Sequence, residues 1–438
     1  MTSVAGSAVL LILAIVLFFF LCMKGFGMIP TAIVCTIILG FAIEGGPVAA
    51  IWGPFAEGMG GFAGGLVFPF VTGGIFGGVM TATGCSEQFG RTLIKKFGVG
   101  FAPYALMVFV MVLSYVNIIS FPFLGAILAF SLMRAADLPR NVACVSMVGT
   151  ASITMYYLPG SVTTANMTAA EIYGVGLYSG PIYGVIAAIV AFGSVALYVN
   201  HLCKRYRTQG IGYTGTEMEK ALGSDFDEND APSFFVSLLP IVVVVGACMV
   251  LQLGLQMNPY AACVIAQLIG IVLCVAMNWK RIAKKLMLVI REGAETSCIP
   301  LLQTCMVVGF ATVVTQTAVY DAMMNAVLSW SMNPYLLCVL GTMLFACISA
   351  DPISGITLSG SMLGARCIEL GASAPLLCRL TQIASTTFDS MPWSGILNVT
   401  MNFLGLTHKE AYGQIVVVQI GCTTLATVVA MILMMIFG

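Results

Sequence analysis

The chain has 438 residues, of which 59% are hydrophobic and 8% charged, with 18 basic and 18 acidic side chains and a mean hydropathy of +1.02. Soluble domains carry about 25% charged residues, so a soluble globular protein is excluded, and apolar runs of about 20 residues recur, each long enough to cross a bilayer core as a helix. No basic stripe points to nucleic acid, and the 15 cysteines stand singly without a CxxC pair or histidine cluster, which argues against a metal or disulfide framework.

In chain order, Ser7–Met23 and Gly27–Ile43 read as the first two spans. The first lacks a basic leading region and a cleavage site and runs on through Lys24, so it is expected to be a retained helix and not a signal peptide. The glycine-rich run Phe70–Gly84 is expected to be a span, a broken helix or a re-entrant segment. The most polar stretch, His201–Ser233, carries Lys204, Arg205, Arg207 and Lys220, then the acids Asp225, Asp227, Glu228 and Asp230. Its basic lead places it in the cytoplasm. It divides the chain into a first membrane repeat (1–200), a linker (201–232) and a second membrane repeat (233–438).

Loop charges set the relation between the halves. In the second half the spans Phe234–Leu251 and Pro259–Met277 precede Lys280, Arg281, Lys284, Lys285 and Arg291; the matching stretch of the first half holds only Glu44 and Glu57. The next loop swaps signs: Ser86–Phe97 holds Arg91, Lys95 and Lys96, whereas its counterpart near 319–330 holds Asp321. Equivalent loops on opposite sides predict inverted repeats. The expected topology has both termini outside and the linker inside. Between them Glu44–Gly64, Asn117–Ser120 and Glu171–Gly176 lie outside, and Arg91–Lys96 and Arg134–Arg140 inside.

Two segments repeat across the halves, ASITMYYLPGS from Ala151 and ASTTFDSMPWSG from Ala384, with 384 − 151 = 233. Ser152/Ser385, Thr154/Thr387, Pro159/Pro392 and Ser161/Ser394 fall in register. Proline removes an amide donor and glycine permits unusual φ, so a helix entering at Asn141 should break near Leu158. A broken helix at membrane depth is tolerated only inside protein or beside a watery cavity. Its amide end suits a carboxylate and its carbonyl end a cation. Pro159, Gly160, Ser161, Thr163 and Asn166 in the first copy, and Thr386, Thr387, Pro392, Ser394 and Gly395 in the second, are therefore candidate substrate ligands alongside Ser152, Thr154 and Ser385. Only the second copy holds an acid, Asp389, a candidate coupling-ion site with Ser390 beside it. Asp351, before Pro352, is a further coupling-ion candidate or a helix cap. Arg366 and Arg379 read as snorkelling side chains, and His408 as a loop residue.

Three passages, Gly73–Gly98, Leu158–Ile189 and Phe388–Val417, resemble the gluconate:proton symporter family within the ion-transporter superfamily; the last is similar to its Asp-x-x-Pro-x-x-Gly and Gly-Leu-Thr-His-x-x-x-Tyr patterns. The resemblance implies uptake of small organic anions, commonly hydroxy acids, by secondary active transport in the bacterial inner membrane. It also implies a homodimer with scaffold and transport domains, paired re-entrant hairpins and elevator-type movement. It points to Pro159, Gly160, Ser161 and Asn166, and to Asp389, Pro392, Ser394 and Gly395. One departure is Trp393, where family members often carry His, so the resemblance does not carry proton coupling over to that position, and sodium coupling, or protonation of Asp389 instead, stays open. The sequence thus predicts an all-α polytopic membrane protein, not an enzyme, with no cofactor and no metal beyond a coupling ion, in contact with lipid and a small carboxylate. An ion exchanger of the same architecture is the alternative.

Overall fold

The computed structural model describes residues 3–24, 26–115, 121–161, 163–215 and 232–438. The expected outer turn Asn117–Ser120 and the charged run from Lys220 to Asp230 lie outside the described residues.

Described residues with regular structure are helical throughout. The first half runs α1 (Val4–Met23), α2 (Met28–Gly40), α3 (Gly46–Ala82), α4 (Cys85–Phe97), α5 (Ala102–Tyr115), α6 (Phe121–Ala136), α7 (Arg140–Ser152), α8 (Thr164–Tyr173) and α9 (Pro181–Thr208). The second half runs through the same order: α10 (Phe234–Met249), α11 (Pro259–Met277), α12 (Leu286–Val314), α13 (Ala318–Ser329), α14 (Pro334–Ser349), α15 (Pro352–Glu369), α16 (Ala374–Ser385), α17 (Gly395–Phe403) and α18 (His408–Phe437). Starts are written locally. Asn258 and Asn333 accept amide hydrogens ahead of Pro259 and Pro334, and Thr407 with Glu410 forms a capping box for α18.

Among the described residues seven helices are long and apolar enough to cross a membrane: α1, α3, α9, α11, α12 and α18, together with Phe234–Gln252, which extends α10. A bent pair, α4 and the segment ending in α5, adds an eighth if it is one span; it turns by 116° at Gly98, whose φ is +84°. The faces of α1 that carry Ile12, Leu13, Val16 and Phe20 are exposed, as a lipid-facing helix requires.

The glycine-rich run is neither broken nor re-entrant: α3 continues unbroken through it to Ala82. The expected outer stretch Glu44–Gly64 is likewise mostly helix, and the kink sits earlier, at Gly53 before Pro54. The glycines serve close packing instead. A Cβ on Gly293 of α12 would stand 2.7 Å from the carbonyl oxygen of Gly74, and one on Gly309 would stand 2.8 Å from that of Phe55. The helices α3 and α12 thus cross backbone to backbone. Helix α9 runs to Thr208, and the chain folds back so that the Tyr213 amide donates to Asp137 Oδ1 at 2.9 Å.

Candidate functional site

Both repeated segments break where Pro and Gly predict. After α7 the chain passes through a wide turn, Ile153–Tyr157; Leu158 is extended and Gly160 has φ +75°. After α16 it is irregular from Thr386 to Ser394. The two breaks face one cavity of about 580 Å³. Ser152, Met155, Tyr156 and Thr164 reach it from the first, and Asp389, Trp393, Ser394 and Gly395 from the second. The turn between α14 and α15 (Ser349–Ser354) lines it too, as do Phe121 of α6, the middle of α3 and the C-terminal end of α12. Among the described residues the first residues of α8, α15 and α17 lie on it.

Of the predicted residues, Ser152, Asp351, Asp389, Ser394 and Gly395 stand on this wall. Thr154, Pro159, Gly160, Ser161, Thr163, Asn166, Ser385, Thr386, Thr387, Ser390 and Pro392 stand behind it, where most of the polar ones hold the breaks together. Thr163 Oγ1 accepts the Asn166 amide and donates to the Met155 carbonyl at 2.9 Å, to which Ser161 Oγ also donates at 3.3 Å. Asn166 Nδ2 donates to the carbonyls of Ser161 (2.9 Å) and Leu177 (3.2 Å). Thr154, Ser385 and Thr386 back-bond to their own helices; Thr386 also meets the Tyr157 hydroxyl at 2.9 Å, and Thr387 meets Thr427 at 3.2 Å.

Arg379 corrects its expected role. It does not snorkel: it is fully buried, on α16, and reaches into the first break. Nε donates to Ser179 O at 3.0 Å, Nη1 to the carbonyls of Tyr156 (3.3 Å) and Leu158 (3.4 Å), and Nη2 to Leu177 O (3.1 Å) and Asn166 Oδ1 (3.3 Å). The carbonyls left by a broken helix are strong acceptors at a negative dipole end, and this guanidinium satisfies them across the halves. His408 is also not in a loop: it begins α18, buried, with Nε2 3.3 Å from Pro392 O. Arg366 donates to Trp330 O at 3.0 Å.

Asp351 does cap a helix: Oδ2 accepts from the amide (2.7 Å) and hydroxyl (2.6 Å) of Ser354 at the start of α15. Ser394 holds the equivalent place on α17, but its hydroxyl caps nothing and is buried without a hydrogen-bond partner, as is Asn398 Oδ1 one turn on. Buried polar atoms are nearly always paired, so an unpaired hydroxyl at a helix N-terminus on a cavity wall is a candidate ligand position. No Lys, Arg or His stands on the wall among the described residues, whereas two carboxylates do. Sequence reasoning missed Gln419, which lines the cavity from a wide-turn stretch of α18, Val417–Cys422. Its signal was a polar residue inside an apolar run.

Membrane-spanning helices enclosing a cavity with a few polar groups at broken helices are the architecture of a solute carrier. The sequence profile of GntP family permeases matches residues 7–437, and the chain belongs to that family. It is 21% identical over 446 aligned residues to the uncharacterized transporter YxjC of Bacillus subtilis, covering 93% of this chain and 94% of that protein. It is 27% identical over 246 residues to the Gnt-II system L-idonate transporter of Escherichia coli, covering 55% of this chain and 52% of that one. The chain is a multi-pass permease of the bacterial cell membrane, and not an enzyme.

Proposed function

We propose that the protein takes up a small hydroxy- or monocarboxylate, gluconate-like in size, by symport with a proton or sodium ion. The observation that carries this reading is the free Ser394 hydroxyl at the α17 N-terminus, in the same cavity as Asp389. The hydroxyl and the α17 amides bind the carboxylate, and Asp389 with Ser390 binds the cation. A wall with two carboxylates and no base repels an anion until a cation enters, which makes coupling a consequence of composition. A cavity of about 580 Å³ holds such an acid with some of its water. The name of the L-idonate transporter, a relative over half the chain, agrees with a sugar acid.

Alternating access follows from the inverted-repeat reading: the common helix order, the α3–α12 crossing, and two breaks and the α14–α15 turn meeting at one cavity all support it. In that reading α5/α6 and α14/α15 are re-entrant hairpins of a transport domain that moves as an elevator against a scaffold, in a homodimer. The test is uptake of L-idonate, D-gluconate, 3-hydroxybutyrate and lactate into proteoliposomes under imposed pH or sodium gradients, with Ser394→Ala alongside. Gradient-driven accumulation of one acid, with a raised KM in Ser394→Ala, supports the reading. Cation flux that needs no acid would replace it with an ion exchanger.

A further inference from the structure

Gln419 joins the two breaks through one hydrogen-bonded chain. Ser152 Oγ donates to Gln419 Oε1 at 3.2 Å, Gln419 Nε2 to Ser390 Oγ at 3.0 Å, and Ser390 Oγ to Asp389 Oδ1 at 2.9 Å. All four residues are at least 95% buried, and Ser152, Gln419 and Asp389 reach the cavity wall. Gln419 is aimed inward from the wide-turn stretch of α18, a local distortion found mostly where function requires it.

Every donor in this chain points toward the carboxylate, which is the arrangement an ionised Asp389 selects. The chain can also run the other way. The two ends of a glutamine amide are alike in shape and opposite in hydrogen bonding. Ser152 has a second acceptor, the Val148 carbonyl at 3.3 Å. A proton on Asp389 donates to Ser390 Oγ, and a sodium ion there needs the lone pairs of Ser390 Oγ. Either cation turns the Ser390 hydrogen away, toward residue 419. The amide then rotates to present Oε1 to Ser390 and Nε2 to Ser152. Ser152 now accepts, and its own hydrogen is released toward Val148 or toward an anion in the cavity.

We propose that Gln419 is a positioning residue whose amide reverses with cation occupancy at Asp389, so that Ser152 offers its hydrogen to the anion only after the cation is bound. The proposal rests on the cation-site reading of Asp389. With sodium no covalent bond changes; with a proton an O–H bond forms on Asp389 when the proton arrives from one aqueous side and breaks when it leaves to the other. The titratable groups facing Asp389 are Asp351 from the α15 cap, Tyr156 and Tyr157 from the first break, and Tyr412 from α18; His408 lies beyond Tyr412 against Pro392.

The test is infrared difference spectroscopy of the full-length protein in liposomes, between alkaline and acid pH and with and without sodium, joined to binding of L-idonate and D-gluconate. In the wild type a change in the Asp389 carboxyl band, identified by its loss in Asp389→Asn, is accompanied by a shift in a glutamine side-chain amide band that Gln419→Leu removes. Coupling between cation and anion affinity, on the order of 5–150-fold, falls severalfold in Gln419→Leu, to the part that the wall carboxylates supply by charge alone. Ser152→Ala, the second variant, keeps both bands and loses the same part of the coupling. An Asp389 band that changes without the Gln419 band, or coupling intact in Gln419→Leu, overturns the proposal while leaving Asp389 as the cation site. No Asp389 signal with either cation overturns both.

Discussion

The two breaks are copies in sequence and opposites in what they leave free. In the first, each polar side chain among Ser161, Thr163 and Asn166 is engaged with the backbone, and Arg379 closes the carbonyls. In the second, Ser394 Oγ and Asn398 Oδ1 remain unpaired and Asp389 stands on the cavity wall. The register explains the difference. Position 379 corresponds to 146 (379 − 233 = 146), where Ser146 spends its hydroxyl on Val142 O at 2.7 Å and is too short to cross between halves. Position 389 corresponds to Tyr156, which also stands on the wall but carries no charge at neutral pH. One residue pair thus makes the first break a strut, and another puts a carboxylate on the cavity wall at the second.

The comparison can be broken by mutation. The largest effect is expected from Asp389→Asn, which should abolish cation-driven accumulation, a loss on the order of 100-fold, while leaving the protein folded; accumulation under a pH or sodium gradient against thermal stability measures both. Arg379→Met should lower stability by roughly 3 kcal/mol or more, because several buried acceptors lose their donor at once. Arg379→Lys should not rescue it, since a point charge cannot span the fork. A normal KM in the surviving protein would confirm that Arg379 is a strut; a selective KM defect with full stability would make it a ligand and erase the distinction. Ser394→Ala should raise the anion KM about tenfold, roughly 1.4 kcal/mol, with little change in melting temperature. Ser161→Ala should do the reverse, costing about 1 kcal/mol of stability with KM unchanged. Equal transport defects in these two variants would restore the symmetric site that the sequence suggested.

Composition and period determined that this chain is helical and crosses a membrane, because lipid admits backbone only where its own hydrogen bonds are made. The sequence also located both breaks, since proline and glycine act on their own residues: Leu158 leaves the helix beside Pro159, and the second break spans Pro392. It placed Asp389 as the unusual acid for the same local reason. Tertiary structure decided which hydroxyls are available. Arg379 closes the Ser179 carbonyl from 200 positions away, and Ser152 meets Gln419 from 267 positions away. No local pattern encodes such partners. They exist because the two halves fold against one another, and that contact turned thirteen equivalent candidates into one occupied strut and one open helix end.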